Sequence, residues 1–191
     1  MEPLSVGVHS VFTQAKLQPA QSIAVFGCGP VGLLCMAVAK AIGASRIIAV
    51  DIVQSRLDFA VSYAATEVFR PPPLQGSEPS MVYSRRSADV LKATLGVEDR
   101  GSKAIDVVID ASGAEVSIQT GILIAKVGGT FVQVSLYSLN CFRRCLSHLI
   151  TGRHGEARSC RAHHRFALKG TGPQGFLPLW RMHCSYVLQS S

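Results

Sequence analysis

The chain has 191 residues, 48% of them hydrophobic, with 19 Lys+Arg, 12 Asp+Glu, 6 Cys and 6 His. That is enough apolar material for a sizeable core, and it excludes a chain disordered throughout. A net charge of +7 would suggest an acidic partner, but residues 1–135 carry 11 Lys/Arg against 11 Asp/Glu, while residues 136–191 carry 8 against 1.

Met1-Glu2-Pro3-Leu4 has no basic stretch followed by a long apolar run, so no secretory signal is expected. Leu4, Val8, Val11, Phe12 and Ala15 fall at helical spacing and predict an opening amphipathic helix. Residues 17–21, with Pro19, form the turn out of it. Ser22 to Phe26 reads as a strand and Pro30 to Ile42 as a buried helix stopped by Gly43. Glycines and prolines interrupt the uncharged stretch 17–39, so no membrane span is expected. Cys28 and Cys35 sit in apolar runs and read as buried thiols of a reducing, cytoplasmic compartment.

Arg46 to Val50 is the second strand, closed by Asp51. Residues 55–65 form a helix and Glu67 to Phe69 a brief third strand. Pro71-Pro72-Pro73 opens a surface loop running to about Ser84, and a helix follows over 87–95 with Gly96 as its cap. Residues 105–109 make strand four, 114–126 a helix and 130–134 strand five. Strands apolar on both faces, alternating with helices, predict an α/β fold: a Rossmann-type, doubly wound parallel sheet.

The first strand runs into Gly27-Cys28-Gly29-Pro30-Val31-Gly32 and directly into a helix, and an acid closes the next strand at Asp51. Gly27 permits the tight turn, Gly29 lets backbone approach a pyrophosphate, and Gly32 allows close helix–strand packing. The helix opened by Pro30 and Val31 has unpaired amides that hold phosphates. Asp51 accepts bonds from ribose hydroxyls and repels a 2′-phosphate, which favours NAD over NADP. Arg56, five residues on, contacts the adenosine ribose, binds a 2′-phosphate (which Asp51 argues against) or is a solvated helix residue. Gly128-Gly129 either bring backbone near the nicotinamide end or form a plain helix-to-strand turn. His9 reads as a structural polar residue, and Asp110 as a cap on the turn before Gly113.

Met1 to Val6, Val8-His9, Gly27 to Leu34 (GCGPVGLL), Ile48 to Ile52 with Arg56-Leu57, Asp106 to Gly113 (DVVIDASG) and Lys126 to Gln133 together resemble the zinc-dependent medium-chain polyol dehydrogenases. The xylitol, sorbitol and L-arabinitol dehydrogenases are the group they are most similar to. The resemblance spans residues 1–134. It implies an oxidoreductase that converts a sugar alcohol to a ketose with NAD, a catalytic zinc polarising the substrate hydroxyl, and a homo-oligomer. It adds Ile52 to the cofactor-binding residues and makes Glu2 a zinc-site residue. It also implies that the other zinc ligands belong to a preceding catalytic domain. Residues 1–135 are then an NAD-binding domain truncated at both ends, with little activity alone, and strand five becomes an exposed sheet edge lacking its last strand.

Residues 136–191 depart from the family as an irregular basic tail. Codons for Lys169 to Arg181, read one nucleotide later, permit the family's K-E-L-x-L-K-G-S-F-R-Y-G strand, so the tail reads as unstructured or aberrantly translated sequence. The alternative is a metal- or nucleic-acid-binding module built on Cys141, Cys145, Cys160, His163 and the tail arginines. Its spacing matches no strong zinc motif, and nucleic acid is not the expected partner.

Overall fold

The computed structural model describes residues 2–134 and 184–187. In chain order the elements are α1 (Glu2–Val8), a π-helical turn (His9–Gln14), β1 (Ser22–Phe26), α2 (Pro30–Ile42), β2 (Arg46–Val50), α3 (Gln54–Tyr63), β3 (Glu67–Phe69), α4 (Ser80–Leu95), β4 (Ile105–Asp110), α5 (Glu115–Ile124), β5 (Ala125–Gln133) and β6 (Cys184–Val187). The sheet order is β3-β2-β1-β4-β5-β6, and the first five strands run parallel. The fold is therefore the Rossmann-like α/β sheet that the alternation predicts.

Side chains of a strand alternate between the two faces, and both faces here are covered. Ile23 and Val25 of β1, Ile47 and Ala49 of β2, and Val107 and Ile109 of β4 pack with Cys35, Met36 and Ala39 of α2, Leu57 and Ala60 of α3, and Val11 and Ala15. The intervening Ala24, Phe26, Ile48, Val50 and Val108 pack with Ala88 and Leu91 of α4 and Ile118 and Ile124 of α5. The α5 backbone comes close to the sheet at Gly121, where an added Cβ would meet a Phe131 ring carbon at 2.9 Å and Val108 Cγ1 at 3.0 Å.

Four expectations change. The opening segment is not one uniform helix: Ala15 N–H donates to Ser10 O across a π turn, which rotates the apolar set. Val11 and Ala15 are buried, while Leu4, Val8 and Phe12 form an exposed stripe. The helix expected to start at Ser87 begins at Ser80. Ser84 and Ser87 look solvent-facing by composition but are buried, and Ser84 Oγ lies 2.8 Å from Gln119 Oε1 of α5.

The α5 helix ends at Ile124 and β5 starts at Ala125, five residues earlier than expected, because β5 carries an irregularity. Ile105 pairs with Ala125 and Val107 with Thr130, so extra residues around Gly128-Gly129 are accommodated without breaking the strand. Finally, β5 is not an open edge. The β6 backbone pairs antiparallel with it, from Thr130 opposite Val187 to Gln133 opposite Cys184. The sheet thus gains an antiparallel sixth strand from the tail segment.

Candidate functional site

The chain crosses to β2 and β3 on one side of β1 and to β4 and β5 on the other, so the strand order reverses between β1 and β4. A crevice opens at the carboxyl ends of strands at such a point. Three turns meet there, and each is held by bonds that its sequence dictates.

The turn after β1 starts at Gly27, whose N–H donates to Val50 O at 2.8 Å and whose φ is +91°. A Cβ at Gly27 would lie 2.9 Å from the Ser112 amide nitrogen. At Gly32 it would lie 1.8 Å from Gly27 O, inside the backbone itself, so only glycine fits where the helix leaves the turn. Gly29 differs, because a Cβ there meets nothing within 4 Å. Its requirement does not come from the protein's own packing and is consistent with space kept for a ligand. Gly29 is also the N-cap of α2, Pro30 is its first residue, and Leu33 N–H closes the first turn on Gly29 O at 2.9 Å. Val31 and Gly32 precede that bond, so their amides have no intrahelical acceptor and give this end of α2 its positive pole. The residues around this turn fit a dinucleotide diphosphate.

At the end of β2, Asp51 is 7% exposed. Its Oδ2 accepts the Cys28 N–H at 2.8 Å and its Oδ1 accepts the Val53 N–H at 2.9 Å. Arg56 Nη1 lies 3.9 Å from Oδ2 on a side chain that is 58% exposed. At that distance and exposure the guanidinium is a mobile surface group rather than a fixed partner. Ile52 is 70% exposed beside Asp51. Gly27, Gly29, Pro30, Val31, Gly32, Asp51, Ile52 and Arg56 thus come together around the β1 and β2 ends.

The third turn follows β4. Asp110 is fully buried and accepts from Ser112 N–H at 3.2 Å, Ser112 Oγ–H at 2.7 Å and Gly113 N–H at 3.1 Å. Ala111 N–H donates to Phe26 O at 2.8 Å and Val134 N–H to Asp110 O at 2.8 Å. Asp110 therefore caps this turn and joins the ends of β1, β4 and β5. The contact of Ser112 with Gly27 was not legible in the sequence; its only trace is the D-x-S-G spacing.

Two neighbours of the turn are chemically quiet. Burial pushes the Cys28 thiol up to about 12; the Asp51 charge adds to this and Arg56 opposes it. Burial alone pushes Cys35 to about 12. Both stay protonated at neutral pH and serve as small core side chains.

Gly128-Gly129 do not reach this crevice. A Cβ at Gly129 would meet Asp106 O and Lys126 O, each at 3.0 Å, which places the pair at the opposite end of the sheet. The amide of Val127 bonds there to Asp99 O. The β5 residues that do reach the crevice are Gln133 and Val134. His9 lies on the π turn with its Nε2 2.8 Å from Gln14 Nε2, a local contact outside the crevice.

Glu2 opens α1, and its side chain lies outside the described residues, as do Cys141, Cys145, Cys160 and His163. Among the described residues no three His, Cys, Asp or Glu side chains come together as a metal site. The described residues therefore do not make up a zinc site.

The zinc-binding dehydrogenase family profile matches residues 30–150. D-xylulose reductase A of Aspergillus niger is 53% identical over 133 residues, a match that covers 70% of this chain and 34% of the relative. The chain spans about a third of the length of the curated relatives it matches. Among solved structures, 2R,3R-butanediol dehydrogenase from Bacillus subtilis superposes with a TM-score of 0.56 at 27% identity, over 72% of this chain and 34% of that one. A Sinorhizobium meliloti zinc-binding dehydrogenase structure, bound to NADP, shares the fold with a TM-score of 0.57 at 24% identity, over 72% and 36%. The profile covers more than half of the chain, so the chain belongs to the zinc-binding dehydrogenase family.

Proposed function

We propose that residues 1–135 form the coenzyme-binding domain of an NAD-dependent polyol dehydrogenase, which oxidises a secondary hydroxyl of a sugar alcohol such as xylitol, sorbitol or L-arabinitol to a ketose. The observation that carries the cofactor choice is Asp51, a buried carboxylate at the end of β2 with both oxygens held by backbone amides. A carboxylate fixed there accepts bonds from both adenosine ribose hydroxyls through its remaining lone pairs and repels a 2′-phosphate. The Gly29 turn and the α2 amides hold the diphosphate, Ile52 offers apolar surface to the adenine, and Arg56 reaches the ribose edge from solvent.

The bound nicotinamide supplies the hydride acceptor. This chain's own residues bind and orient the dinucleotide and contribute no proton-transfer group that the described residues identify. In the family reading Glu2 belongs to the zinc site. In this reading the chain by itself binds dinucleotide without appreciable turnover, because the resemblance assigns the zinc ligands other than Glu2 to a separate catalytic domain. The tail beyond residue 135 contributes the β6 strand in this reading and no separate metal- or nucleic-acid-binding activity. Among the described residues no helix is long and apolar enough to cross a membrane. The free, buried Cys28 and Cys35 support a reducing, cytoplasmic location.

The test follows reduced nicotinamide by absorbance while the chain is mixed with NAD and each of the three polyols. Dinucleotide binding with turnover at background is the expected result. Turnover approaching that of a full-length relative would overturn the division between cofactor binding and chemistry.

A further inference from the structure

We infer that Asp51 is a positioning residue for the diphosphate turn in addition to a ribose contact, an inference that rests on the dinucleotide reading above. Gly27 and Gly29 flank Cys28, and two glycines in three residues leave a turn free to take many backbone shapes. A loose turn would present its amides to a phosphate only part of the time, and affinity would fall with that fraction.

The turn is tied at three points. Gly27 N–H bonds Val50 O, the Ser112 backbone closes off the side of Gly27 where a Cβ would stand, and Cys28 N–H donates to Asp51 Oδ2 at 2.8 Å. The first two hold the turn's entry; the third orients the amide at its middle, where the Cys28 side chain packs into the core. Asp51 can do this because its other oxygen is anchored 2.9 Å from the Val53 N–H at the start of α3. With its side chain 5% exposed, the carboxylate is a fixed strut between β2 and the turn. The Cys28 amide faces Asp51 and is spent on it, so the amides that serve the diphosphate are those farther along, at the start of α2.

The chemistry makes the carboxylate hard to replace. It accepts from both amides at once, whereas an asparagine side chain accepts through one oxygen and turns its NH2 toward the other amide. One buried donor is then left facing a donor, a costly arrangement. Exchanges that remove the charge to admit a 2′-phosphate therefore also remove the strut, and they weaken binding of every diphosphate-bearing ligand.

The experiment titrates the full chain and Asp51→Asn with ADP and with 2′,3′-dideoxy-ADP, which keeps the diphosphate and lacks the ribose diol. Asp106→Asn, altered at the far end of the sheet, serves as a control for general destabilisation. If Asp51 served only the diol, D51N would leave dideoxy-ADP affinity unchanged. By Coulomb's law alone, loss of a negative charge beside a diphosphate would tighten it.

We expect the opposite: D51N weakens dideoxy-ADP by at least about fivefold, the size of one lost buried hydrogen bond, while D106N leaves it unchanged. Unchanged or tighter dideoxy-ADP binding by D51N overturns the inference and leaves the dinucleotide reading standing. If the unmodified chain binds neither NAD nor ADP, the dinucleotide reading fails and the inference fails with it. Should D51N not fold, amide exchange in the unmodified chain decides: slow exchange at Cys28 beside fast exchange at Val31 supports the strut, and unprotected exchange at Cys28 overturns it.

Discussion

Gly29 and Gly32 look alike in the sequence and are required for different reasons. A Cβ at Gly32 would be driven to 1.8 Å from Gly27 O, a backbone atom that cannot yield without opening the turn. A Cβ at Gly29 meets nothing within 4 Å, and its φ of −78° suits any L-residue. Gly32→Ala is expected to cost about 1–3 kcal/mol or more of stability, as overpacked sites do. Gly29→Ala is expected to unfold like the parent in thermal melts yet bind NAD about tenfold or more weakly, because its methyl occupies ligand space. Paired melting and titration of the two variants checks this. The G-x-G-x-x-G spacing announced both positions, but only the geometry separates Gly32, closed in by backbone, from Gly29, open on its Cβ side.

The two thiols allow a further prediction at this scale. Cys28 and Cys35 are 2% and 0% exposed, and burial pushes both up to about 12. Thiol alkylation of the native chain at neutral pH, mapped by mass spectrometry, is expected to leave both unmodified and to label both after denaturation. Rapid native labelling of Cys28 would show that the turn opens.

At the scale of elements, the strands were the most legible part. The runs SIAVF, RIIAV and IDVVID are buried over almost their whole length, and uninterrupted apolar runs of that length suit strands covered on both faces. Helix boundaries were less so. Ser80 and Ser84 read as loop, but the Ser84 hydroxyl finds acceptors in Ser80 O and in Gln119 Oε1 at the α4–α5 contact, so a polar residue sits where a hydrophobic stripe was sought. The start of β5 was missed for a related reason: Gly128-Gly129 look like a turn and are instead an irregularity inside a strand.

The non-crevice end of the sheet is held by a polar cluster. Asp106 Oδ2 accepts the Ser22 N–H at 2.8 Å, Ser22 Oγ lies 2.9 Å from it, and Lys126 Nζ bonds Oδ1, which ties β1, β4 and β5 in register. Burial pushes the Asp106 carboxyl up, but the Lys126 ammonium and the Ser22 bonds outweigh it and hold the group below the usual carboxylate range. A group lowered in the folded state stabilises the fold above its ordinary pKa, and that contribution is lost as pH falls through its folded value. Thermal melts across the acid range are expected to show Asp106→Asn less stable than the parent near neutrality, with the difference shrinking at the acid end. A difference constant with pH would remove Asp106 from the acid response.

For the whole molecule, charge was the least informative global number. The +7 resides in residues 136–191, while the body that builds the crevice is neutral. The tail also supplies what sequence reasoning expected to be missing, a strand beside β5. Antiparallel pairing of β6 follows no periodicity that could be read from CSYV alone, since a four-residue segment is ambiguous until a partner edge is known. The crevice itself was legible in outline, because glycines, strand, helix and closing acid occur in fixed order. The closure of Ser112 on Gly27 was not, because it joins turns far apart in the chain.

The central claim is that this crevice binds NAD in preference to NADP, and calorimetric titration of the full chain with each dinucleotide tests it most directly. The account predicts saturable one-site binding of NAD, at least about tenfold tighter than NADP given a carboxylate facing the 2′ position. Absence of NAD binding, or NADP binding as tight or tighter, would contradict it.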